Sequence, residues 1–223
     1  MNKKINYYFL SIFIIELIIY ISFLYLEFNK NNINNYLKYS LIIINFLFGL
    51  IYLIKNYFKE KLFLVLGLFF TIESDYFLLF KNSNKEYCIG ISIFIIVQLM
   101  YFIYNFLSNK LYLNEIIIEI IIRIFLIIVS LIFVYYFLNK YFNLVNVLAI
   151  SYFINLLINF LECIFFFKRN KKRNIILIIG FLLFILCDLS VGLYNLKLID
   201  AFKHLMWIAY APSQFLLLYS IKE

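Results

Sequence analysis

Eight apolar runs of about twenty residues, at roughly 7–28, 36–54, 62–80, 87–107, 116–138, 142–167, 174–195 and 201–221, separated by short polar breaks, govern what this chain can become. Each is long enough to cross a hydrocarbon core ~30 Å thick, which takes ~20 residues of helix. A backbone in hydrocarbon finds no water to satisfy its amides, so the runs must be helices. With 223 residues there are about 28 per span and connection, which leaves no room for a water-soluble domain. The composition agrees: 66% of residues are hydrophobic and 14% charged, against roughly 45–50% and about 25% in soluble domains. The expected fold is therefore all-α, a polytopic membrane helical bundle of about eight transmembrane helices forming a single domain over residues 1–223. A Rossmann domain, a barrel or any other water-soluble catalytic core is excluded.

The first run is too long for a cleaved signal peptide and is expected to be the first span. The breaks are short and rich in Asn and Lys, so consecutive helices should be antiparallel neighbours. Lys and Arg then sort by side. With the N-terminus inside, Lys3, Lys4, Lys55, Lys59, Lys61, Lys110, Lys168, Arg169, Lys171, Lys172, Arg173 and Lys222 make twelve on the cytoplasmic face, against six opposite: Lys30, Lys81, Lys85, Lys140, Lys197 and Lys203. The positive-inside bias therefore puts both termini in the cytoplasm. It also accounts for the net charge of +8 without nucleic acid, which is not expected as a partner. Cys88, Cys163 and Cys187 lie in or at the ends of apolar runs with no metal-ligand spacing, and read as small buried hydrophobes. The abundance of Ile, Asn, Lys, Phe and Tyr reads as compositional bias without functional content.

Charged groups near the bilayer centre cost at least ~2.5–3.5 kcal/mol on insertion scales, so those present carry most of the information. They are Glu16, Glu73, Asp75, Glu119, Arg123, Glu162 and Asp188, with Lys38 at a boundary. Glu119 and Arg123 stand four apart, Glu first, as a favourable intrahelical ion pair would. Glu16 and Glu162 have no sequence partner. Asp75 and Asp188 are more telling. The helix after Asp75 carries Gln98 and Tyr101, the helix after Asp188 carries Tyr210 and Gln214, and the two Asp-to-Gln separations are 23 and 26 residues. Two hairpins would each bring a carboxylate and an amide into the bundle. Both Asp residues fall ~20 Å from the cytoplasmic start of their helices at 1.5 Å per residue, at one level past the midplane. The plainer alternative is two unrelated carboxylates, each neutralised by hydrogen bonds to Gln or Tyr.

Several of these residues sit in recognisable strings. Gly180 to Asp188, with Phe184 and with Cys187 in place of the usual Ser, resembles the G-x-x-x-F-x-x-S-D signature of the YhhN, or lysoplasmalogenase-like, membrane proteins. Tyr210-Ala-Pro-Ser-Gln214-Phe-Leu resembles the same family's Y-x-x-x-Q-x-L helix. Ser74-Asp75 with Leu78 and Leu79 resembles G-D-x-x-L-L, Gln98-Leu-Met-Tyr101 stands where H-x-x-Y is common, and Lys38 matches the lysine of K-P. The order and separations agree from the second run to the eighth.

The resemblance implies hydrolysis of the vinyl-ether bond of lysoplasmalogens to a fatty aldehyde and a glycerophospho-alcohol. That chemistry needs a proton delivered to carbon and an anion beside the resulting oxocarbenium ion. Two buried carboxyls supply both when they share one proton, which makes Asp75 and Asp188 the candidate acid and base in an order the residues leave open. Gln98, Gln214, Tyr101 and Tyr210 would orient water and the glycerol oxygens. Lys38 would attract the phosphate or simply snorkel to the interface, and Trp207 could face a cationic headgroup. With one His, His204 at the start of the last run, and no Cys/His spacing, neither metal nor cofactor is expected. The expected partners are the lysophospholipid substrate and membrane lipid, and the expected location is the bacterial cytoplasmic membrane. Two other classes compete: a small proton- or cation-coupled transporter using the two Asp residues, and a non-catalytic lipid-binding protein of the same fold. Substitution of the usual Gly and His by Ser74 and Gln98 supports the latter.

Overall fold

A computed structural model describes residues 3–28, 34–81, 83–137, 143–195 and 202–223. Among these the chain forms eight α-helices: α1 Lys3–Phe28, α2 Asn34–Lys55, α3 Lys59–Phe80, α4 Asn84–Asn109, α5 Leu113–Phe137, α6 Leu144–Phe165, α7 Lys171–Asn195 and α8 Phe202–Tyr219, closed by a 3-10 turn at Ser220–Lys222. The first seven are long and apolar enough to cross a membrane. At 1.5 Å per residue the 22 to 26 residues of α1 to α7 extend about 33–39 Å, beyond the hydrocarbon core at both ends.

Several helices start earlier than the apolar runs, because helix ends are set by capping rather than hydropathy. Ser83 caps α4 and, with Glu86 three residues into the helix, forms a reciprocal capping box. The Asn143 side chain accepts the amide of Asn146 at the start of α6. Lys110 ends α4 in the left-handed conformation at φ 52°, with its amide turned back to the last carbonyls. The apolar runs at 116–138, 142–167 and 201–221 have ends at 138, 142 and 201 that lie outside the described residues.

The hairpins α3–α4 and α7–α8 are the tightest pairs, and α4–α6, α2–α3 and α6–α7 close the bundle around them. Close approach is built in: a Cβ on Gly67 of α3 would stand 2.6 Å from Cε1 of buried Tyr101 on α4. Nearly two turns from the hairpin's connecting end, Ser74 Oγ donates to the Gly90 carbonyl at 2.7 Å. The helix α5 stands apart, with only 6% of its span buried, and packs on α6. Glu115 at its start pairs with Arg169 beyond α6, and one buried residue fastens its middle. Arg123 reaches from α5 into α6, donating to Asn155 Oδ1 at 3.1 Å and Asn159 Oδ1 at 2.8 Å and pairing with Glu162 at 3.4 Å, over the ring of Phe102. The expected intrahelical pair of Glu119 and Arg123 is thus corrected. Glu119 adds only a longer-range attraction, because the guanidinium turns inward to a carboxylate and amides that need it more.

Pro212 interrupts α8 and cannot donate to the carbonyl four residues back. That carbonyl, Ile208 O, accepts the Tyr20 hydroxyl of α1 at 3.1 Å instead. The beginning of α1 and the end of α8 meet through Phe9 and Tyr219, 5.2 Å apart, so both ends of the described chain lie at one end of the bundle. Arg173, at the start of α7, lies at that same end, beside Tyr104 at the end of α4.

Candidate functional site: a carboxyl pair

Asp75 is the seventeenth residue of α3 and Asp188 the eighteenth of α7. Because both helices start three residues before their apolar runs, the carboxyls stand about 25 Å from the basic end, deeper than hydropathy alone suggests. They share a level, and the charge of Asp188 is felt at Asp75. Each is held by a tyrosine from another helix: Tyr210 of α8 donates to Asp75 Oδ2 at 2.5 Å, and Tyr152 of α6 donates to Asp188 Oδ2 at 2.6 Å. The second oxygen of each accepts no hydrogen bond from the described residues. Each carboxyl is thus held through one oxygen, Asp75 buried and Asp188 partly exposed.

Aromatic rings set the two tyrosines. Phe94 lies 5.3 Å from Tyr152 and 6.0 Å from Phe184, which in turn lies 5.5 Å from Tyr210. Tyr101 is fully buried, with Asp75 and Thr71 as its electrostatic neighbours. Cys187, beside Asp188 in sequence, is buried as well.

The candidate residues meet in part. Asp75, Asp188, Tyr101 and Tyr210 converge. Gln98 turns elsewhere: its side-chain oxygen accepts Asn159 Nδ2 at 2.9 Å, while its own Nε2 has no partner. Gln214, one turn beyond Tyr210, is 1% exposed and neither of its amide atoms is hydrogen-bonded. Each hairpin places its amide in the buried interior, but its carboxylate is bonded to a tyrosine, one of the two partners the plainer alternative names. The carboxylates take tyrosines of other helices, since a phenol offers a single strong donor, while Gln98 pairs with Asn159 and Gln214 has no partner among the described residues.

Lys38 is buried, 2.7 Å from Glu27 of α1, and lies 4.3 Å over the ring of Trp207. His204 Nδ1 is 3.9 Å from the other Glu27 oxygen. Simple snorkelling of Lys38 to the interface is thereby set aside, and a phosphate at this lysine would compete with an internal carboxylate. Trp207 packs 5.5 Å from Tyr210, so this ion pair buttresses the Asp75 side of the site.

Tyr152 is the residue the sequence reasoning missed. Its signal was present: Tyr152, Asn155, Asn159 and Glu162 recur at spacings of three, four and three on one face of α6, and all are buried. Among the described residues, no three His, Cys, Asp or Glu side chains gather as a metal-ligand set.

A bundle of membrane-length helices with an oriented carboxyl pair in its interior defines a polytopic, integral membrane protein. The model of the YhhN family matches residues 33–221, which takes in α2 to α8 and both carboxyls, and the chain belongs to that family. Neither a curated protein nor a solved structure matches it.

Proposed function

We propose that this protein hydrolyses the vinyl-ether bond of lysoplasmalogen-type lysophospholipids. The observation that carries the proposal is the convergence of Asp75 and Asp188 at one depth, each oriented by a tyrosine from a different helix. Two carboxyls within electrostatic reach of each other hold one proton between them more readily than two charges. The protonated member donates to the vinyl carbon distal to oxygen, giving an oxocarbenium ion next to the ionised member. That carboxylate stabilises the cation and then takes a proton from the water that adds to it. The hemiacetal collapses, the C–O bond to glycerol breaks, and a fatty aldehyde and a glycerophospho-alcohol leave. One water is consumed and the proton on the acid is restored.

The family assignment supports the reading at the level of lysoplasmalogenase-like proteins. Tyr210 and Tyr152 hold the acids, while Tyr101 and Gln214 supply hydroxyl and amide groups suited to water and glycerol oxygens, and Gln98, turned to Asn159, is left out of the site. Lys38 serves with Glu27 as a support beneath Trp207 and as a docking charge only if phosphate displaces the carboxylate. On this reading the substrate comes from the lipid phase, the membrane is the bacterial cytoplasmic membrane, and the basic end faces the cytoplasm. A proton- or cation-coupled carrier ranks second. Its support is the same carboxyl pair, but the helix break at Pro212 is sealed by Tyr20 rather than opened toward a midplane site.

The test is aldehyde release by variants purified in monodisperse form. Asp75→Asn and Asp188→Asn should each reduce it at least about 100-fold, as expected for loss of an acid or base. Retention of wild-type rates by both would refute the paired-acid mechanism.

A further inference from the structure

The buried polar groups that this chemistry does not use lie on one seam. It starts at Tyr152 beside Asp188 and follows the packed faces of α4 and α6 to the start of α7. Along it come Asn155 and Arg123, then Asn159 with Gln98, then Glu162. Asn105 follows, donating to Cys163 Sγ at 3.4 Å, and the seam ends where Arg173 donates to Asn109 at 2.6 Å and Asn174 at 2.8 Å. A polar side chain is met at nearly every helical turn between the carboxyl pair and the basic end. Arg173 lines a cavity of about 80 Å3 together with Tyr104, Ser108, Lys61 and the carboxylates of Glu60 and Glu223.

These groups satisfy one another only in part. Gln98 Nε2, Asn105 Oδ1, Asn109 Nδ2, Arg123 Nε, Glu162 Oε1 and Arg173 Nη1 are all buried and have no hydrogen-bond partner among the described residues. Arg173 is 2% exposed, and among the described residues no carboxylate lies within salt-bridge distance of it. A bundle interior rarely tolerates even one such orphan. A file of them, both donors and acceptors, calls for a small partner that both gives and accepts hydrogen bonds. Water meets that need, since buried waters bridge two to four otherwise unpaired groups. Toward the opposite end, among the described residues, Lys38, Glu27 and Trp207 pack over Tyr210 in an ion-pair and ring cluster.

We propose that the α4–α6 seam is a hydrated path that carries water, and the protons that move with it, from the cavity at Arg173 to the Asp75–Asp188 pair. Its purpose rests on the hydrolytic reading above, in which each turnover consumes one water at a site otherwise reached from lipid. Its existence does not.

The experiment is hydroxyl-radical footprinting of the intact protein in lipid nanodiscs, with radicals generated from water by an X-ray pulse and side-chain oxidation read by mass spectrometry. Cys163 and Tyr101 are both fully buried, so dry packing would protect them as it protects Phe23 on α1. Corrected for intrinsic reactivity, both should oxidise at least about tenfold faster than Phe23, because radicals form in the waters beside them. Asn105→Leu, which plugs the seam with an apolar side chain of similar size, should lower oxidation of Tyr101 while leaving Phe23 unchanged. Oxidation of Cys163 and Tyr101 no faster than Phe23 in the wild-type protein would overturn the path, whatever the variant does. Fast oxidation without aldehyde release would sustain the path and refute the hydrolytic reading, and aldehyde release from a seam that resists oxidation would do the reverse.

Discussion

Replacing Arg123 by Met should unfasten α5. The guanidinium is buried, pairs with a Glu162 side chain that has no solvent exposure, and donates to two asparagines of α6. Removing it leaves Glu162 as an uncompensated charge in the bundle, which costs about 3–5 kcal/mol where a buried pair is broken from one side. For a domain of this size each kcal/mol moves the melting temperature ~2–4 °C, so Arg123→Met should lower it by about 6–20 °C. Removing both partners together, Arg123→Met with Glu162→Met, should recover most of the loss, because well-packed apolar groups replace a buried pair at little cost. The assay is thermal unfolding in detergent followed through Trp207, the only tryptophan, with gel filtration to exclude aggregation. The comparison that decides is Glu119→Met against Glu162→Met. The interhelical geometry requires the Glu162 change to be the more damaging. Equal or greater damage from Glu119→Met, or a shift under about 2 °C for Arg123→Met, would refute the account of how α5 is held.

Two further perturbations follow from named contacts. Tyr20→Phe strands the Ile208 carbonyl freed by Pro212 and should cost about 1–3 kcal/mol, whereas in a Pro212→Ala background, where an amide returns to that carbonyl, the same change should cost almost nothing; a double-mutant cycle in detergent melts measures the difference. Tyr152→Phe and Tyr210→Phe should each slow aldehyde release about 10- to 100-fold, the kinetic equivalent of losing one hydrogen bond to a charged group, with little change in melting temperature. Rates unchanged in both would mean that the tyrosines do not hold the acids during turnover.

The helices were legible because a membrane span writes itself in composition: about twenty apolar residues leave few alternatives to a helix. The two carboxyls were legible for the opposite reason, since a charge in hydrocarbon stands out against every neighbour. Their partners were not. Asp75 and Tyr210 are 135 residues apart, and the contact between α3 and α8 that joins them is set by packing of the whole bundle. Local spacing favoured Glu119 for Arg123, and only the placement of α5 against α6 turned that side chain to Glu162. The buried ion pair of Lys38 and Glu27 was hidden in the same way, each residue standing at the edge of its run where a surface position was equally compatible. The polar face of α6 was readable at helical spacing. It was lost in a chain so rich in asparagine that Asn155 and Asn159 passed for background.

The central claim is that the Asp75–Asp188 pair cleaves a vinyl ether, and aldehyde release by the purified, monodisperse protein tests it most directly. Given a lysoplasmalogen and, in parallel, the lysolipid with a saturated ether at the same position, the protein should release aldehyde from the first alone. The saturated ether has no carbon that protonation turns into an oxocarbenium ion. Sustained failure to release aldehyde from the vinyl ether, by protein whose helical content and single oligomeric species are verified, would contradict the account.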